Sequence, residues 1–309
     1  MLPAFNNLKE FSNQFSDDKV CREYLENMIW KGKPSCPHCG GNKPYKLKDG
    51  KTYRCSDKEC KKDFTITVGT VFEGSNVPLS KWFLAIYIAT NHKKGISSIQ
   101  LGKDVGVTQR TAWFMLHRIR EMVRPKQEVI LTEEVMVDET YCGGKQANKS
   151  NRKRALINSG ELKEEKIPVF GLVQKDGNTV LRVVPDAKGE TLRPIILQVV
   201  NEDTVIVSDG AVVHRGLDES YKGHIIVNHA NGEYVNGPYT TNHIESVFAL
   251  LKRTVYGTYH NVSPKHLQAY CAEVGHRYNT RKIKDNYRFN ATIEHSAGRL
   301  KYKDLIAKI

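Results

Sequence analysis

Apolar positions recur at helical spacing in the first part of the chain and at strand-like spacing after residue 130. A helix predicted over residues 17–30 carries its apolar face on Val20, Tyr24, Leu25 and Met28. Helical spacing returns from residue 78 to about residue 123, and a short cysteine-bearing segment lies between these two stretches. The pattern therefore predicts helical and cysteine-bearing parts followed by a mixed α/β part.

The later part of the chain contains apolar runs that indicate β-strands. Two of these runs flank Asp-Gly-Asn at 176–178, which is a strong hairpin signal. An amphipathic helix is predicted over residues 189–200, and a polar, basic stretch at 143–166 is interpreted as a mobile loop able to touch DNA. The strand-like runs are 134–137, 167–174, 179–184, 204–208 and 224–228. This order of strands and helices is the one that an RNase H-like α/β fold requires.

Three acidic residues occupy positions that a metal-dependent phosphoryl-transfer site needs. Asp138 and Asp209 each end an apolar strand, and Glu245 begins a helical stretch. A carboxylate at the end of a buried strand is held rigidly yet reaches solvent, which suits a hard cation. Each acid alone is better explained as a strand end or a helix start, but three together favour a metal site. Glu139 would face the opposite side of its strand, so we do not expect it to be a ligand.

Lys252 lies seven residues after Glu245, about two helical turns, so both side chains leave one face of the predicted helix. A lysine at this position can approach a phosphate at the metal site. Because carboxylates suit hard cations, we expect Asp138, Asp209 and Glu245 to hold two Mg²⁺ ions, with Mn²⁺ as a substitute. The predicted chemistry is in-line displacement at phosphorus, in which water frees a 3′ hydroxyl that then attacks a second strand.

Four cysteines form a second candidate metal site. Cys36 and Cys39 are separated by two residues and Cys55 and Cys60 by four, with fifteen residues between the pairs. This spacing and four thiolate ligands are typical of a closed, structural zinc site. We therefore predict a zinc ribbon that holds one structural Zn²⁺ and packs around Tyr45, Tyr53 and Phe64. The other three cysteines are interpreted as packing residues.

Residues 97–113 match a helix-turn-helix. Gly106 permits the tight turn, and Thr108 is placed to cap the second helix. The predicted core of this motif contains Ile99, Val105, Val107, Ala112 and Leu116. The positions expected to be exposed and to face a DNA major groove or phosphates are Gln109, Arg110 and Arg118. An ordinary helical hairpin is the alternative, but the charge of the chain and the zinc ribbon favour DNA binding.

The charge of the chain favours an anionic partner. The formal net charge is +13 and the isoelectric point is about 9.3. No apolar run is long enough to span a membrane, and the N-terminus lacks the pattern of a signal peptide. Seven cysteines, four of them at metal-ligand spacing, indicate a reducing compartment. We therefore expect double-stranded DNA as the partner, no membrane association, and a cytoplasmic, nucleoid-associated location.

Two groups of motifs allow the chain to be compared with known families. The first comprises Cys-Pro-His-Cys at 36–39, Thr-Val-Gly-Thr-Val-Phe at 67–72 and Pro-Leu-Ser-Lys-Trp at 78–82. The second comprises Val-Asp-Glu-Thr-Tyr at 137–141, Ser-Asp-Gly at 208–210, and Thr-Asn-His-Ile-Glu-Ser at 241–246 with Leu-Lys-Arg at 251–253. Over about residues 15–282 the chain resembles prokaryotic insertion-sequence transposases that join a zinc ribbon to a DDE RNase H-like catalytic domain.

The resemblance implies a magnesium-dependent DNA transposase that acts on the terminal inverted repeats of an insertion sequence. It also implies a homo-oligomer, at least a dimer on DNA. Some members of the family carry Asn or His in place of the third acid. Here Asn242 and His243 precede Glu245, and the spacing to Lys252 favours Glu245 as the third ligand.

The sequence divides into five segments, of which the fourth carries the predicted catalytic acids. They are an N-terminal helical segment (1–32), a zinc ribbon (33–76), a helix-turn-helix domain (77–126), an RNase H-like DDE domain (127–285) and a C-terminal tail (286–309). The function expected is end binding followed by metal-dependent strand cleavage and strand transfer. Two alternatives stay open: a transposase-derived DNA-binding regulator without catalysis, and an RNase H-like structure-selective nuclease.

Overall fold

A computed structural model describes residues 5–143, 150–161, 166–214, 216–228, 232–233 and 235–307. The chain forms two compact units, one from Met1–Arg124 together with Lys282–Ile309 and the other from Pro125–Arg281. None of the helices in the described ranges has both the length and the apolar character that crossing a membrane requires.

The first unit begins with two capped helices, α1 (Leu8–Gln14) and α2 (Asp18–Trp30). The side chain of Asn7 accepts from the backbone N–H of Glu10, and that of Asp17 accepts from the backbone N–H of Lys19. These N-caps satisfy backbone donors that have no partner within the helix. As the periodicity predicts, α2 buries Tyr24, Leu25 and Met28, whereas Val20 is exposed.

The cysteine-bearing segment folds into a three-stranded antiparallel sheet with its own small core. Its strands are β1 (Tyr45–Lys46), β2 (Thr52–Arg54) and β3 (Asp63–Thr65), in that spatial order. The ring of Tyr53 stacks on Phe64 at 6.0 Å and contacts the edge of Trp30 at 4.9 Å. Tyr53 and Phe64 thus pack as predicted, while Tyr45 is half exposed and lies outside this core.

Three helices follow: α3 (Leu79–Asn91), α4 (Ser98–Val105) and α5 (Gln109–Val123). α3 is apolar on nearly all sides and is buried among its neighbours. Pro78 offers no side-chain cap to α3, and Asp18 supplies one by accepting from the backbone N–H groups of Leu79 and Ser80. The carboxylate of Asp18, the first residue of α2, therefore caps the N-terminus of α3.

The second unit contains a five-stranded sheet in the spatial order β6-β5-β4-β7-β8. β5 is antiparallel to β4 and β6, whereas β7 is parallel to β4 and β8. The elements in chain order are β4 (Glu134–Cys142), α6 (Asn151–Asn158), β5 (Ile167–Gln174), β6 (Thr179–Val183), α7 (Gly189–Val199), β7 (Val205–Ser208), β8 (Gly223–Ile226), the short strands β9 (Val235–Asn236) and β10 (Tyr239–Thr240), α8 (Asn242–Lys252) and α9 (Leu267–Asn279). A π-helix, Arg253–Tyr259, continues α8.

Side chains alternate between the two faces of this sheet. On one face, Met136 and Val207 pack with α8 and α9, and on the other, Val135 and Val137 pack with α7. Alternation along a strand therefore decides which face each residue of β4 reaches. The predicted hairpin at 176–178 and the helix predicted at 189–200 are confirmed. The stretch interpreted as a loop contains α6, and its residues 144–149 and 162–165 lie outside the described residues.

Two C-terminal helices, α10 (Asp285–Glu294) and α11 (Tyr302–Ile306), belong to the first unit. Phe289 and Ile293 are fully buried in its core, and the hydroxyl of Tyr24 donates to the side chain of Asn290. The sequence analysis treats residues 286–309 as a C-terminal tail. The structure instead makes them part of the first unit, because two apolar side chains of α10 fill its aromatic core.

Candidate active site and metal centre

The parallel strands β4 and β7 bring Asp138 and Asp209 towards the same end of the sheet. Asp209 directly follows β7 as predicted, but β4 continues to Cys142, so the prediction that Asp138 ends its strand is wrong: antiparallel pairing with β5 extends β4 past the part that pairs with β7. The two strands are parallel, and their register pairs Met136 with Val207. Continuing that register by two residues sets Asp138 level with Asp209, which follows directly on the last residue of β7. Neighbouring strands are about 4.8 Å apart, so the two acids lie side by side on adjacent chain segments.

These two acids interact electrostatically. Burial, with a further contribution from the negative charge of Asp209, raises the pKa of Asp138 to about 7. The backbone N–H of Glu139 donates to the Asp138 carboxylate at 2.7 Å and opposes this shift. Asp209 accepts from the backbone N–H of Ala211 at 3.0 Å, which holds it at the start of a turn. A bound cation would relieve the repulsion between two such carboxylates.

Asp138 lies on the face of the sheet that α8 covers. Its partner across the antiparallel β4–β5 pair is Gly171, and residues directly opposite each other point to the same face. A Cβ atom added at Gly171 would lie 2.6 Å from the ring of Phe248 and 3.2 Å from Ile244, both on α8. The absence of a side chain at Gly171 therefore lets α8 approach the sheet beside Asp138.

Glu245 is exposed in the first turn of α8, next to the buried Ile244. Its Oε1 accepts a hydrogen bond from the hydroxyl of Thr241 at 3.1 Å. Within the described ranges, the carboxylates of Asp138, Asp209 and Glu245 do not form a group whose ligand atoms all lie within 4.8 Å of one another. Of the three predicted ligands, Asp138 and Asp209 thus lie on neighbouring chain segments, whereas Glu245 is hydrogen-bonded to Thr241.

Lys252 lies in the last turn of α8 and is exposed. Its positive charge acts on Cys142, the last residue of β4, where it opposes the effect of burial, which raises the pKa of that thiol to about 11. The ammonium group of Lys252 is therefore placed towards the end of β4, beyond Asp138 in the chain.

A buried polar network on the opposite face of the sheet escaped the sequence analysis. Oε1 of Glu139 lies 3.2 Å from Nε2 of His214, which is fully buried in the 3₁₀ turn after Asp209. Next to Asp209, the hydroxyl of Ser208 contacts Nε2 of His224 on β8 at 2.8 Å. The prediction that Glu139 faces away from Asp138 is correct. The local sequence around His214 gives no indication that this histidine contacts Glu139, which lies 75 residues earlier.

The four predicted zinc ligands come together in the small sheet. Sγ of Cys36 lies 3.8 Å from that of Cys60, Sγ of Cys39 lies 3.5 Å from that of Cys55, and all four sulfurs lie within 4.8 Å of one another. Four sulfurs around one Zn²⁺ at bonds of about 2.3 Å would be separated by about 3.8 Å, so the cluster fits the ion.

Glycines shape the first turn of this cluster. Gly40 has a φ of 75°, a conformation that favours glycine, and a Cβ atom at Gly41 would lie 3.3 Å from Sγ of Cys39. Burial raises the pKa of Cys36, but hydrogen bonds from the backbone N–H groups of His38 and Cys39 outweigh this effect and bring it to about 7. At Cys36 these hydrogen bonds thus favour the thiolate form that metal binding requires.

The turn between α4 and α5 has the local geometry that the sequence predicts. Gly106 ends α4 with a φ of 68°, and the hydroxyl of Thr108 caps α5 by accepting from the backbone N–H of Thr111 at 3.2 Å. Val107 packs against the core, while Ile99 is 61% exposed, so its predicted core role is wrong. Gln109 and Arg110 are exposed in the first turn of α5.

The prediction that Arg118 is exposed for DNA contact is wrong. Only 4% of Arg118 is accessible, and its guanidinium donates to the backbone carbonyls of Val71 at 2.7 Å and Glu73 at 3.1 Å. It also lies over the ring of Phe114 at 4.3 Å. Arg118 follows Gln109 by nine residues, about two and a half helical turns, and therefore leaves α5 on the opposite side, towards the core.

Comparison with known proteins gives two family matches and one relative. A transposase zinc-ribbon domain matches residues 16–63, and an ISXO2-like transposase domain matches residues 130–279. A protein of Halobacterium salinarum, described as an uncharacterized protein in transposable element ISH50, is 30% identical over 252 residues. The alignment covers 77% of this chain and 83% of the relative. The zinc-ribbon match and the four-cysteine cluster together support a structural zinc site.

Proposed function

Because this chain belongs to the insertion-sequence transposases, we propose that it binds the terminal inverted repeats of its element, cleaves the DNA and transfers the cut strand to a target. The observation that carries this proposal is the register of the parallel strands β4 and β7, which, continued by two residues, sets Asp138 within β4 level with Asp209 directly after β7. The sheet, with β5 antiparallel and β4, β7 and β8 parallel, supports the RNase H-like interpretation of the catalytic unit.

The acids at this sheet edge fit a hard divalent cation. Asp138 and Asp209 offer oxygen donors from neighbouring strands, and the raised pKa of Asp138 reflects burial and a nearby negative charge, both of which a cation offsets. Two Mg²⁺ or Mn²⁺ ions, when bound, would polarise the phosphate and activate the attacking oxygen. Glu245 is the proposed third ligand; its Oε1 accepts from the hydroxyl of Thr241, and an ionised carboxylate has further acceptor sites on its two oxygens for a metal.

Other residues of the chain would bind and orient the DNA. Lys252 is exposed on the same helix as Glu245 and is proposed to contact a phosphate of the cleaved strand. The α4–α5 pair is proposed to act as a helix-turn-helix, with Gln109 and Arg110 directed at the element ends. The net charge of +13 supports binding to duplex DNA, and the family relationship supports assembly of two or more copies on it.

An Asp209→Asn variant tests the catalytic proposal. We expect it to bind end DNA like the wild type and to give no nicked product with Mg²⁺, because the amide removes a negative ligand without changing the side-chain shape. Asp203→Asn, an exposed acid six residues earlier on the same loop and strand, is the matched control and should nick normally. Nicking by Asp209→Asn at the wild-type rate would contradict the assignment.

One observation favours the non-catalytic alternative. Glu245 is hydrogen-bonded to Thr241, and the three carboxylates are not grouped as ligands within the described ranges. A DNA-binding regulator that retains the catalytic fold would show this arrangement permanently. Measuring Mg²⁺-dependent nicking of end DNA by the wild-type protein separates the two functions, since a regulator binds the DNA and leaves it intact.

A further inference from the structure

The C-terminal helix α11 returns to the start of α5 and places Tyr302 against Arg110. Nε of Arg110 donates to the Tyr302 hydroxyl at 3.0 Å, and the guanidinium carbon lies 5.0 Å from the centre of the tyrosine ring. Tyr302 is itself fixed by edge contacts with the rings of Phe114 at 5.4 Å and Trp113 at 6.5 Å. A ring from the far end of the chain therefore determines how Arg110 is oriented.

This contact leaves the two terminal nitrogens of Arg110 available. Arg110 is exposed, and none of the residues that the structure describes accepts a hydrogen bond from either terminal nitrogen. Arg118 on the same helix differs, because both of its terminal nitrogens bind backbone carbonyls. Arg110 thus presents the planar pair of donors that matches two acceptors lying side by side.

We propose that Tyr302 is a positioning residue that orients Arg110 for bidentate recognition of a guanine edge in the DNA major groove. The inference rests on the proposed function, namely that α5 reads the ends of the element. Arg110 is the second residue of α5, and the first residues of a recognition helix are those that reach base edges. O6 and N7 of guanine are the acceptor pair that a guanidinium fork fits best in that groove.

The surroundings of Arg110 suit a duplex. Lys301 and Lys303, on either side of Tyr302, are exposed and add positive charge next to this position, which favours a nearby phosphate backbone. Holding Nε on Tyr302 restricts the rotamers of a long side chain before DNA arrives. Less conformational freedom is then lost on binding, so the contact becomes stronger and more selective.

The test is a selection from duplexes with a randomised centre, using the full-length, zinc-loaded protein. The wild type should enrich a motif that contains an invariant G·C pair. Arg110→Lys keeps the charge but lacks the fork, so it should lose the preference at that pair alone, with about a 5- to 150-fold loss of affinity for the consensus duplex. Tyr302→Phe keeps the ring and loses the acceptor for Nε, and should weaken the same preference with about a 2- to 12-fold loss.

A double variant distinguishes positioning from a general structural effect. If Tyr302 acts through Arg110, the Arg110→Lys, Tyr302→Phe double variant should bind the consensus no more weakly than Arg110→Lys alone. Arg124→Lys, at the exposed opposite end of α5, is the matched control and should leave the motif unchanged. Unchanged melting temperatures would show that all variants remain folded.

Three results would overturn the inference. The first is a Tyr302→Phe protein with the wild-type motif and affinity, and the second is an equal loss on every sequence, which would indicate a phosphate contact instead. The third is a motif that survives Arg110→Lys, which would remove the inference while leaving end recognition intact. If the wild type enriches no motif, the proposed end recognition itself fails.

Discussion

Oε1 of Glu139 lies 3.2 Å from Nε2 of His214, on the side of β4 that faces away from Asp138. The residue after the first predicted catalytic acid thereby contacts the turn that follows the second. His214 is completely buried and Glu139 nearly so, hence their contact is shielded from water. The pair therefore connects the chain segments that carry Asp138 and Asp209, on the face of the sheet opposite to Asp138.

Glu139→Ala should therefore destabilise the second unit. Removing the carboxylate leaves the buried His214 ring without its polar neighbour at 3.2 Å, and the loss of such a buried polar contact costs about 1–3 kcal/mol. Urea unfolding followed by circular dichroism measures the change. Glu128→Ala, which removes the partner of Arg182 in a more exposed ion pair of the same unit, should cost less than about 1 kcal/mol. Equal losses in the two variants would show that burial of the Glu139–His214 pair contributes nothing.

Gly171→Ala should impair catalysis more than Gly223→Ala. The new methyl group at Gly171 would press on the ring of Phe248 and push α8, which carries Glu245 and Lys252, away from the sheet. Overpacking of this kind costs about 1–3 kcal/mol in stability. Gly223, also in a strand, has open space around its Cβ position and serves as the control. Stability and Mg²⁺-dependent nicking should both fall for Gly171→Ala only.

Loss of zinc should unfold the small sheet and spare the second unit. Wild-type protein should contain one equivalent of zinc, and Cys55→Ser should contain none, since three thiolates no longer close the site. Hydrogen exchange should then accelerate over residues 36–65 while residues 125–281 stay protected. Cys271→Ala, a cysteine outside the cluster, should retain its zinc. Zinc retained by Cys55→Ser would refute the four-thiolate site.

Asp18 should give the first unit a specific dependence on pH. Burial raises the pKa of Asp18, but hydrogen bonds from Ser80 and Leu79 outweigh burial and lower it below its usual 3.8. A lowered folded-state pKa means that the stabilisation is complete well above pH 3.8 and is lost as pH falls through the folded value.

Asp18→Asn should therefore be less stable than wild type at pH 7, by about 0.5–2 kcal/mol. Urea unfolding at pH 7, 5 and 3 should show this difference persisting to about pH 5 and shrinking below 3.8. Asp104→Asn, an exposed acid on α4, should show a smaller difference that changes little with pH. A gap for Asp18→Asn that stays constant down to pH 3 would contradict the role of its carboxylate as the cap of α3.

Features set by neighbouring residues were predictable from the sequence. The cap at Thr108, the turn at Gly106 and the sulfur cluster depend on spacings of a few residues, and the structure confirms them. The hairpin at 176–178 depends equally on local chemistry. Asp209 was recognisable as a strand end, whereas β4 runs past Asp138 to Cys142 because it pairs with β5, and the placement of the two acids depends on the register between two strands far apart in the chain.

Features set by distant chain segments were not predictable. Arginine is a residue type that often contacts DNA. The helix, however, directs Arg118 inwards, where its guanidinium binds the backbone carbonyls of Val71 and Glu73. His214 and Tyr302 acquire their roles from partners that no local pattern indicates. The same applies to Phe289, whose burial depends on a core built by the first residues of the chain.

The position of α10 in the first unit has a genetic consequence. A frameshift or premature stop after codon 281 would leave the codons for every proposed catalytic acid intact, yet the protein would lack the side chains of Phe289 and Ile293 that complete the N-terminal core. A protein truncated in this way should therefore fail first in folding the unit that carries the proposed DNA-binding helices. That unit is formed mostly by residues 1–124, although the deleted residues lie at the C-terminal end of the chain.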